Sequence, residues 1–242
     1  MGRMEIVIQF KSLFDQLYEY LSNSIIEGKI KPGEKLIEND LCRQFGISRS
    51  PIRECFRVLE SEGLITIVPR KGVLIKELTS QDIEEVFPVR ASLESLAVKL
   101  AIPNIGQKEI GTLQDLIKKM EEALCNRDIR SFLSLNFSFH TILIKASNNK
   151  ILEKVLKNLG RGLWLRIAFL YYQSSAEELA ISNNMHRQIL EAIQKKDALF
   201  AQRSIEAHIN HGKKQLLISF EKKVSLRYNE LFSKDNLMET LL

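Results

Sequence analysis

A chain of 242 residues is long enough for two ordinary domains, and its hydrophobic content of 45% includes no apolar run of about 18 residues, which excludes a helical membrane span. Its three cysteines lie far apart with no CxxC pair, which excludes a disulfide framework and a cysteine-ligated zinc site and favours a reducing cytoplasm. The net charge of +5 is small for a protein that binds nucleic acid, so the distribution of charge is more informative than its sum.

The segment 8–78 predicts three helices followed by a β-hairpin. Apolar residues at helical spacing, glycines at the helix ends and Pro51 in the first turn of the third helix indicate where the helices begin and end. Two runs rich in isoleucine and valine, separated by PRKG, indicate the hairpin. The predicted elements are Lys11 to Gly28, Asn39 or Asp40 to Phe45, Ser48 or Ser50 to Gly63, and the hairpin in LITIVPRKGVLIKEL.

The third predicted helix separates apolar residues from cationic ones. On a helical wheel its apolar residues share one arc and its arginines share the neighbouring arc. The apolar residues are Ile52, Cys55, Phe56 and Leu59, and the arginines are Arg49, Arg53 and Arg57. A short helix, a turn and such a second helix are typical of a helix-turn-helix, whose second helix enters the DNA major groove by its N-terminal end. Arginine at that end can bind phosphate, or guanine through O6 and N7.

Basic residues are concentrated around this helix and the hairpin. From Arg43 to Lys76 there are seven basic and three acidic residues, which gives +4 of the total net charge of +5. Arg70 and Lys71 lie at the tip of the predicted hairpin, where they can contact the DNA backbone or minor groove. An isolated charge stripe is more often a solvated helix face. The combination of helix-turn-helix, basic first turn and basic hairpin tip favours DNA binding.

The stretch from IIEGKIKPGEKL through GISRSPIRE and LESEGL to PRKGVLI resembles a known family. It is similar to the winged-helix DNA-binding domain of the GntR family of bacterial transcription regulators. By position, the resemblance implies that a recognition helix and a wing contact operator DNA through Ser48, Arg49, Ser50, Arg53, Arg70, Lys71 and Gly72. Asn39 stands where related proteins often have a DNA-contacting arginine, and Arg43 and Arg57 are assigned to phosphate or to no contact.

From residue 79 onward the pattern predicts helices alone. A capping signal at Thr79 or Ser80 precedes the first helix, and short polar joints separate the others. Short connections predict an antiparallel bundle over residues 79–225, with the tail 226–242 left unassigned. The six predicted helices are that of TSQDIEEVFPVRASLESLAVKLA, Gln107 to Cys125, Asp128 to Ala146, Lys150 to Tyr172, Ser175 to Lys195, and Ala198 to about Glu221.

All four histidines lie in this helical segment. His140, His186 and His208 fall on apolar sides of three predicted helices, Asn136 lies one turn before His140, and His211 faces a polar side. A single such histidine is more often a hydrogen-bonded core residue than a ligand. Burying three neutral imidazoles costs solvation free energy unless each has a partner, and a divalent cation can serve all three. Such ligands suit zinc, nickel or similar ions, with positions left for water or a small carboxylate.

A second resemblance covers the chain from about Ser80 to Lys222. The stretches VRASLESLA, LNFSFHTILIKASNN, MHRQILEAIQKKD and AHI are similar to the all-helical effector domain of the FadR subfamily, often called FCD. The resemblance implies a metal set at Asn136, His140, His186 and His208. Asn136 replaces the acidic residue that is commonest there, which implies a lower metal affinity. In members that dispense with metal, the pocket can hold an organic acid directly.

Two arginines on predicted buried helices are candidates for binding the carboxylate of an effector. They are Arg90 in PVRASLE and Arg166 in GLWLRIAF, and each could form a bidentate pair with a carboxylate. The alternative is a salt bridge within the chain, for Arg90 with Glu94 one turn further on.

The sequence therefore predicts a mainly α protein with an N-terminal winged helix-turn-helix domain and a C-terminal all-α antiparallel bundle. The predicted function is that of a homodimeric, ligand-responsive repressor that binds a palindromic operator in the bacterial cytoplasm. One alternative is a metal-dependent hydrolase, although no general base stands beside the histidines. The other is a winged-helix module for protein contacts with a structural metal, which salt-dependent DNA binding would exclude.

Overall fold

The computed structural model describes residues 12–26, 28–70, 72–77, 79–159 and 176–231. Two compact units divide the chain, with the boundary between Glu77 and Leu78. In the described ranges no helix is both long and apolar enough to cross a membrane. The three cysteines are free, and burial raises the pKa of the Cys55 thiol to about 12.

The first unit packs three helices against a small sheet within its described residues. Helix α1 presents apolar residues at helical spacing to helix α3, and the sheet closes the same core. The elements are α1 (Leu13–Ile26), β1 (Lys35–Leu36), α2 (Glu38–Phe45), α3 (Arg49–Ser61), β2 (Ile65–Val68) and β3 (Gly72–Ile75). The buried side chains of this core include Phe56, Leu17, Leu21, Ile25, Ile52, Leu59, Leu64, Ile65 and Ile75.

The turn between α2 and α3 depends on Gly46. Its φ of 64° lies in the left-handed region, and its N–H donates to the carbonyl of Cys42, which ends α2. Helix α3 then begins with Ser48 as its N-cap and Pro51 in its first turn, where proline loses no helical hydrogen bond. The predicted helix-turn-helix is therefore present, with the turn that the sequence indicates.

The start of α2 differs from its prediction. The helix begins at Glu38 after Ile37 in extended conformation, so the predicted cap at Asn39 or Asp40 is wrong. The reason is that strand β1 leads almost directly into the helix and holds the backbone extended up to Ile37.

The sheet is antiparallel with strand order β1-β3-β2. Strands β2 and β3 form the predicted hairpin, with Val68 opposite Gly72 near the tip. Strand β1 pairs with β3 through Lys35 opposite Leu74. The sequence indicates only a turn around β1, because a strand of two residues is too short to show the alternation of apolar and polar residues.

The second unit is an all-helical bundle. Its described helices are α4 (Ser80–Ala101), α5 (Gln107–Cys125), α6 (Ile129–Ala146), α7 (Lys150–Asn158), α8 (Ala176–Gln194) and α9 (Ala198–Leu231). The predicted cap at Thr79 is confirmed, because its hydroxyl accepts from the N–H of Asp82 while the Asp82 carboxylate accepts from the N–H of Thr79. Helix α9 packs along α4 and against α8, while α5 packs against both α6 and α8.

One helix ends later than predicted, and the predicted end of another falls outside the described residues. Helix α9 continues to Leu231, so it passes the predicted end near Glu221 and enters the segment that the sequence left unassigned. The helix predicted for Lys150 to Tyr172 is described only as far as Asn158, and its remainder lies outside the described residues.

Candidate functional site

The exposed side of α3 carries a row of arginines. Arg49, Arg53 and Arg57 are exposed, as are the hydroxyl-bearing residues Ser48 and Ser50 at the start of the helix. The opposite side of the helix is buried in the core of the first unit through Ile52, Cys55, Phe56 and Leu59. The helix therefore presents its cationic side and its N-terminal end outward, as the periodicity of the sequence predicts.

Glu38 at the start of α2 lies against two of these arginines. Its carboxylate accepts a hydrogen bond of 2.9 Å from Nε of Arg53, and its other oxygen lies 3.6 Å from Nε of Arg49. The hydrogen bond and the charge of Glu38 raise the pKa of the Arg53 guanidinium. The two arginine side chains remain 62% and 60% exposed, so the carboxylate orients their guanidinium groups without burying them.

The tip of the hairpin carries a second exposed cation. Arg70 is exposed and has a φ of 65°. This left-handed conformation is uncommon for residues other than glycine, and it occurs here in the tight turn of the hairpin. Gly72 has a φ of 98°, and a Cβ built there would lie 2.8 Å from Cε of Lys35. Gly72 therefore lets Lys35 of β1 lie close against the hairpin. Lys71, the remaining predicted contact of the wing, lies outside the described residues.

Three histidines meet in the core of the second unit. His140 of α6, His186 of α8 and His208 of α9 each bring one ring nitrogen within 4.8 Å of the other two. Nε2 of His140 lies 3.2 Å from Nε2 of His208, and the ring centroids of His186 and His208 are 4.4 Å apart. The three side chains are buried, with relative exposures of 5%, 0% and 7% in chain order.

Several polar atoms in this core have no hydrogen-bond partner among the described residues. They are the amide nitrogen and oxygen of the Asn136 side chain, both ring nitrogens of His186, and Nδ1 of His208. Burial lowers the pKa of His186 and of His208 well below the ordinary histidine value, with neighbouring histidines adding to the effect. Both rings are therefore neutral at pH 7 and offer nitrogen lone pairs. An unpartnered buried polar group costs about 1–3 kcal/mol, so a polar ligand that pairs with these five atoms would stabilise this core.

Glu94 of α4 fixes the orientation of His140. Its Oε2 lies 2.6 Å from Nδ1 of His140, while its Oε1 accepts two hydrogen bonds, of 3.0 and 2.7 Å, from Nε and Nη2 of Arg90. Burial alone would raise the pKa of the Glu94 carboxyl, but the charge of Arg90 and the hydrogen bonds from Arg90 and His140 hold it well below its usual range. An ionised carboxylate only accepts, so Nδ1 of His140 donates, and in the neutral ring Nε2 carries the lone pair toward the cluster.

This donor set fits a divalent metal ion. Two nitrogens bound to one ion at about 2.0–2.1 Å lie about 2.9–3.4 Å apart, a range that contains the spacing between His140 and His208. The unpartnered atoms of His186 and Asn136 supply further nitrogen and oxygen donors. Imidazole ligands suit zinc, nickel and similar ions, so the three predicted histidines lie together and are chemically suitable. Asn136, the fourth predicted residue, is buried on the same helix one turn before His140.

The two arginines predicted for an effector have different outcomes. Arg90 forms the salt bridge with Glu94 that the sequence offered as its alternative, and its side chain is 10% exposed. Removing one partner of such a buried pair costs about 3–5 kcal/mol. Arg166 lies outside the described residues. His211, assigned to a polar side, is half-buried and lies 3.1 Å from a carboxylate oxygen of Glu178.

Known families match both units. Residues 13–75 match the bacterial regulatory proteins of the gntR family, and residues 85–211 match the FCD domain. The chain belongs to the GntR family. It combines the helix-turn-helix domain of these transcriptional regulators with an FCD effector domain, and regulators of this family bind operator DNA through the helix-turn-helix. The families and relatives that it matches are transcription regulators rather than enzymes.

Relatives cover most of this GntR-family chain. The uncharacterized HTH-type transcriptional regulator YdhC of Bacillus subtilis (strain 168) is 34% identical over 197 residues, 81% of this chain and 87% of that protein. The HTH-type transcriptional repressor GlaR of Escherichia coli (strain K12) is 26% identical over 79% of this chain and 90% of its own length. The solved structure of E. coli McbR/YncC has a TM-score of 0.72 at 25% identity and covers 88% of this chain and 100% of that one.

Glu38 and Glu94 contribute to these two sites, and sequence reasoning missed their roles. The sequence offered Glu94 only as a partner of Arg90, and it did not single out Glu38. Glu94 lies 46 residues from His140 and Glu38 lies 15 residues from Arg53, so no helical spacing connects either pair. An acidic residue at the start of the first helix of a helix-turn-helix is the only signal that could have drawn attention to Glu38.

Replacing Glu38 with glutamine is expected to lower the discrimination of the GntR-family protein between operator and non-operator DNA. The change removes a charge that orients Arg49 and Arg53 and that repels phosphate, so affinity for any duplex rises while the guanidinium groups lose their preferred direction. Exposed pairs contribute about 0.2–1 kcal/mol, so the affinity ratio should fall by about 1.4- to fivefold, measured by fluorescence anisotropy on both duplexes. Asp40→Asn removes an equal charge from the same helix beside Arg43 and should leave the ratio unchanged.

Proposed function

We propose that this protein is a ligand-responsive transcriptional repressor of the FadR subfamily, controlled by a small carboxylate that binds in the FCD domain through a divalent metal. The observation that carries the proposal is a cluster of three buried histidines, two of them with unpartnered ring nitrogens, in a domain linked to a winged helix. Burying these polar groups costs free energy unless a ligand pairs with them, so the cluster supports a ligand-binding role for this domain.

The DNA-binding half of the proposal assigns operator contacts to the recognition helix and the wing. Ser48, Arg49, Ser50 and Arg53 are exposed at the N-terminal end of α3, where the helix dipole also favours phosphate. Arg70 and Gly72 belong to the wing, and Lys71 is proposed from its place in the sequence. Arg43 is exposed and paired with Asp40, which is consistent with a phosphate contact or with none.

The effector half of the proposal assigns the metal to Asn136, His140, His186 and His208. A bound ion would supply a Lewis acid able to coordinate the carboxylate oxygens of the effector. Arg90 supports this site by holding Glu94, which in turn orients His140. Arg166, from its place in the sequence, is proposed as a second contact for the effector carboxylate.

The response to an effector requires two winged helices whose spacing can change. We therefore propose a homodimer that binds a palindromic operator in the bacterial cytoplasm, with one half-site for each recognition helix. Effector binding shifts the population between dimer arrangements that fit the operator and those that do not, with a coupling free energy of about 1–3 kcal/mol. Repression is supported by relatives such as GlaR, whose name describes a repressor.

The proposal is tested by native mass spectrometry and metal analysis of protein purified without chelator. We expect a dimer that carries one divalent ion per chain and a co-purified small acid. Adding that acid should reduce binding to a duplex from the promoter region of its own gene. Binding should also weaken with salt, with a slope of log affinity against log salt concentration of about −0.9 for each phosphate neutralised. A metal-free protein with no affinity for that duplex, or binding indifferent to salt, would contradict the proposal.

A further inference from the structure

The formal charges around the histidine cluster cancel. Arg90 and Glu94 form a neutral pair, Asn136 is an uncharged amide, and a histidine ring that binds a metal ion does so as a neutral imidazole. Glu178 stands eight residues before His186 on the same helix, a rise of about 12 Å, and lies beside His211 at the partly exposed end. Within the described part of the chain, no side chain brings an unbalanced negative charge to the centre.

A divalent ion at this centre would carry two positive charges without compensation. The ligand atoms belong to side chains that are at most 7% exposed, so water screens the ion poorly. Burying an uncompensated charge is costly, and the charge of the ligands is a main determinant of metal affinity. Neutral imidazole and amide donors therefore coordinate the ion without offsetting its charge.

We propose that Asn136 makes metal binding in this protein conditional on an anionic co-ligand, and that a dicarboxylate, whose two negative charges balance the ion, is the preferred class of effector. The inference deepens the proposed function and rests on it. The amide oxygen of Asn136 supplies a donor atom but no charge, so an anionic effector that binds beside the ion supplies the charge that Asn136 lacks. Metal and acid then bind as a linked pair, and each raises the affinity for the other by the same factor.

The test compares the wild-type protein with Asn136→Asp in calorimetric titrations with Ni²⁺. The titrations are run without carboxylate, with acetate and with succinate, and are corrected for the complexes that the acids form with Ni²⁺ in solution. Without carboxylate, Asn136→Asp should bind Ni²⁺ at least about tenfold more tightly than the wild type. Succinate should tighten Ni²⁺ binding to the wild type more than acetate does, and more than it does for Asn136→Asp.

Ser134→Asp is the matched control, because it adds the same charge to the same helix at an exposed position. It should bind Ni²⁺ like the wild type in all three buffers. Equal Ni²⁺ affinities for wild type and Asn136→Asp without acid, or an equal effect of succinate on both, would overturn this inference alone. Failure of both proteins to bind Ni²⁺ in any buffer, with circular dichroism confirming that they are folded, would overturn the proposed metal site as well.

Discussion

Alanine in place of Arg49 or Arg53 is expected to weaken operator binding by about 1–3 kcal/mol for each substitution, which corresponds to roughly five- to 150-fold in the dissociation constant. Both side chains are exposed at the N-terminal end of α3, and the Glu38 carboxylate orients their guanidinium groups. A guanidinium that binds O6 and N7 of guanine loses two hydrogen bonds when it is truncated. The measurement is a titration of a promoter duplex at fixed salt, by gel shift or anisotropy.

Arg187→Ala is the control for this loss of charge. Arg187 lies on α8 in the FCD domain, is partly exposed, and pairs with Glu121 in a surface salt bridge of 2.7 Å. Its removal changes the net charge by the same amount and should leave operator affinity within about twofold. Unchanged binding by both Arg49→Ala and Arg53→Ala would remove the recognition-helix assignment. Losses as large in Arg187→Ala would mean that net charge alone governs binding.

Alanine in place of His186 is expected to lower the affinity for Ni²⁺ or Zn²⁺ by more than about 100-fold in the presence of a carboxylate. Changes to residues that only orient a metal ligand already cost 10–100-fold, and His186 is proposed as a ligand itself. Neither of its ring nitrogens has a hydrogen-bond partner among the described residues, so the substitution breaks no hydrogen bond within that part of the chain. Competition with a chromophoric chelator measures the affinity.

Two controls separate ligand loss from damage to the fold. His186 packs against Phe139 with ring centroids 4.6 Å apart, so its removal leaves a cavity, and thermal unfolding in chelator reports the cost to stability. His211→Ala removes a histidine from the neighbouring helix α9 outside the cluster and should bind metal as the wild type does. Metal affinity that survives in His186→Ala, or that falls equally in His211→Ala, would contradict the ligand assignment.

Local patterns predicted a large part of this structure. The four-residue spacing of Arg49, Arg53 and Arg57 places them on one side of any α-helix, whatever that helix packs against. Similarly, Asn136 and His140 are one helical turn apart, so they lie on the same side of α6 wherever the helix is placed. Glycine in the left-handed conformation at Gly46 ended α2 as its position in the sequence indicated.

Other features depend on contacts between residues that are distant along the chain. Strand β1 exists because Lys35 and Leu36 pair with β3, and nothing in those two residues alone favours a strand. From the sequence, Arg90 could bind either an effector or Glu94. In the structure both side chains are almost fully buried and form a salt bridge with each other. Charged groups that leave water require a partner, and Glu94 is close enough to serve both Arg90 and His140.

The sequence by itself determined most of the described helices, the helix-turn-helix, the exposed arginine row and the sides of the helices on which the histidines lie, because these follow from spacing within a single element. Only the tertiary structure decided that histidines from three helices come within 4.8 Å, that Glu94 orients His140 and that Glu38 lies against two arginines. Packing of the core sets which helix faces meet, and no local spacing contains that information. The charge balance of the histidine centre likewise depends on which side chains the folded chain brings together.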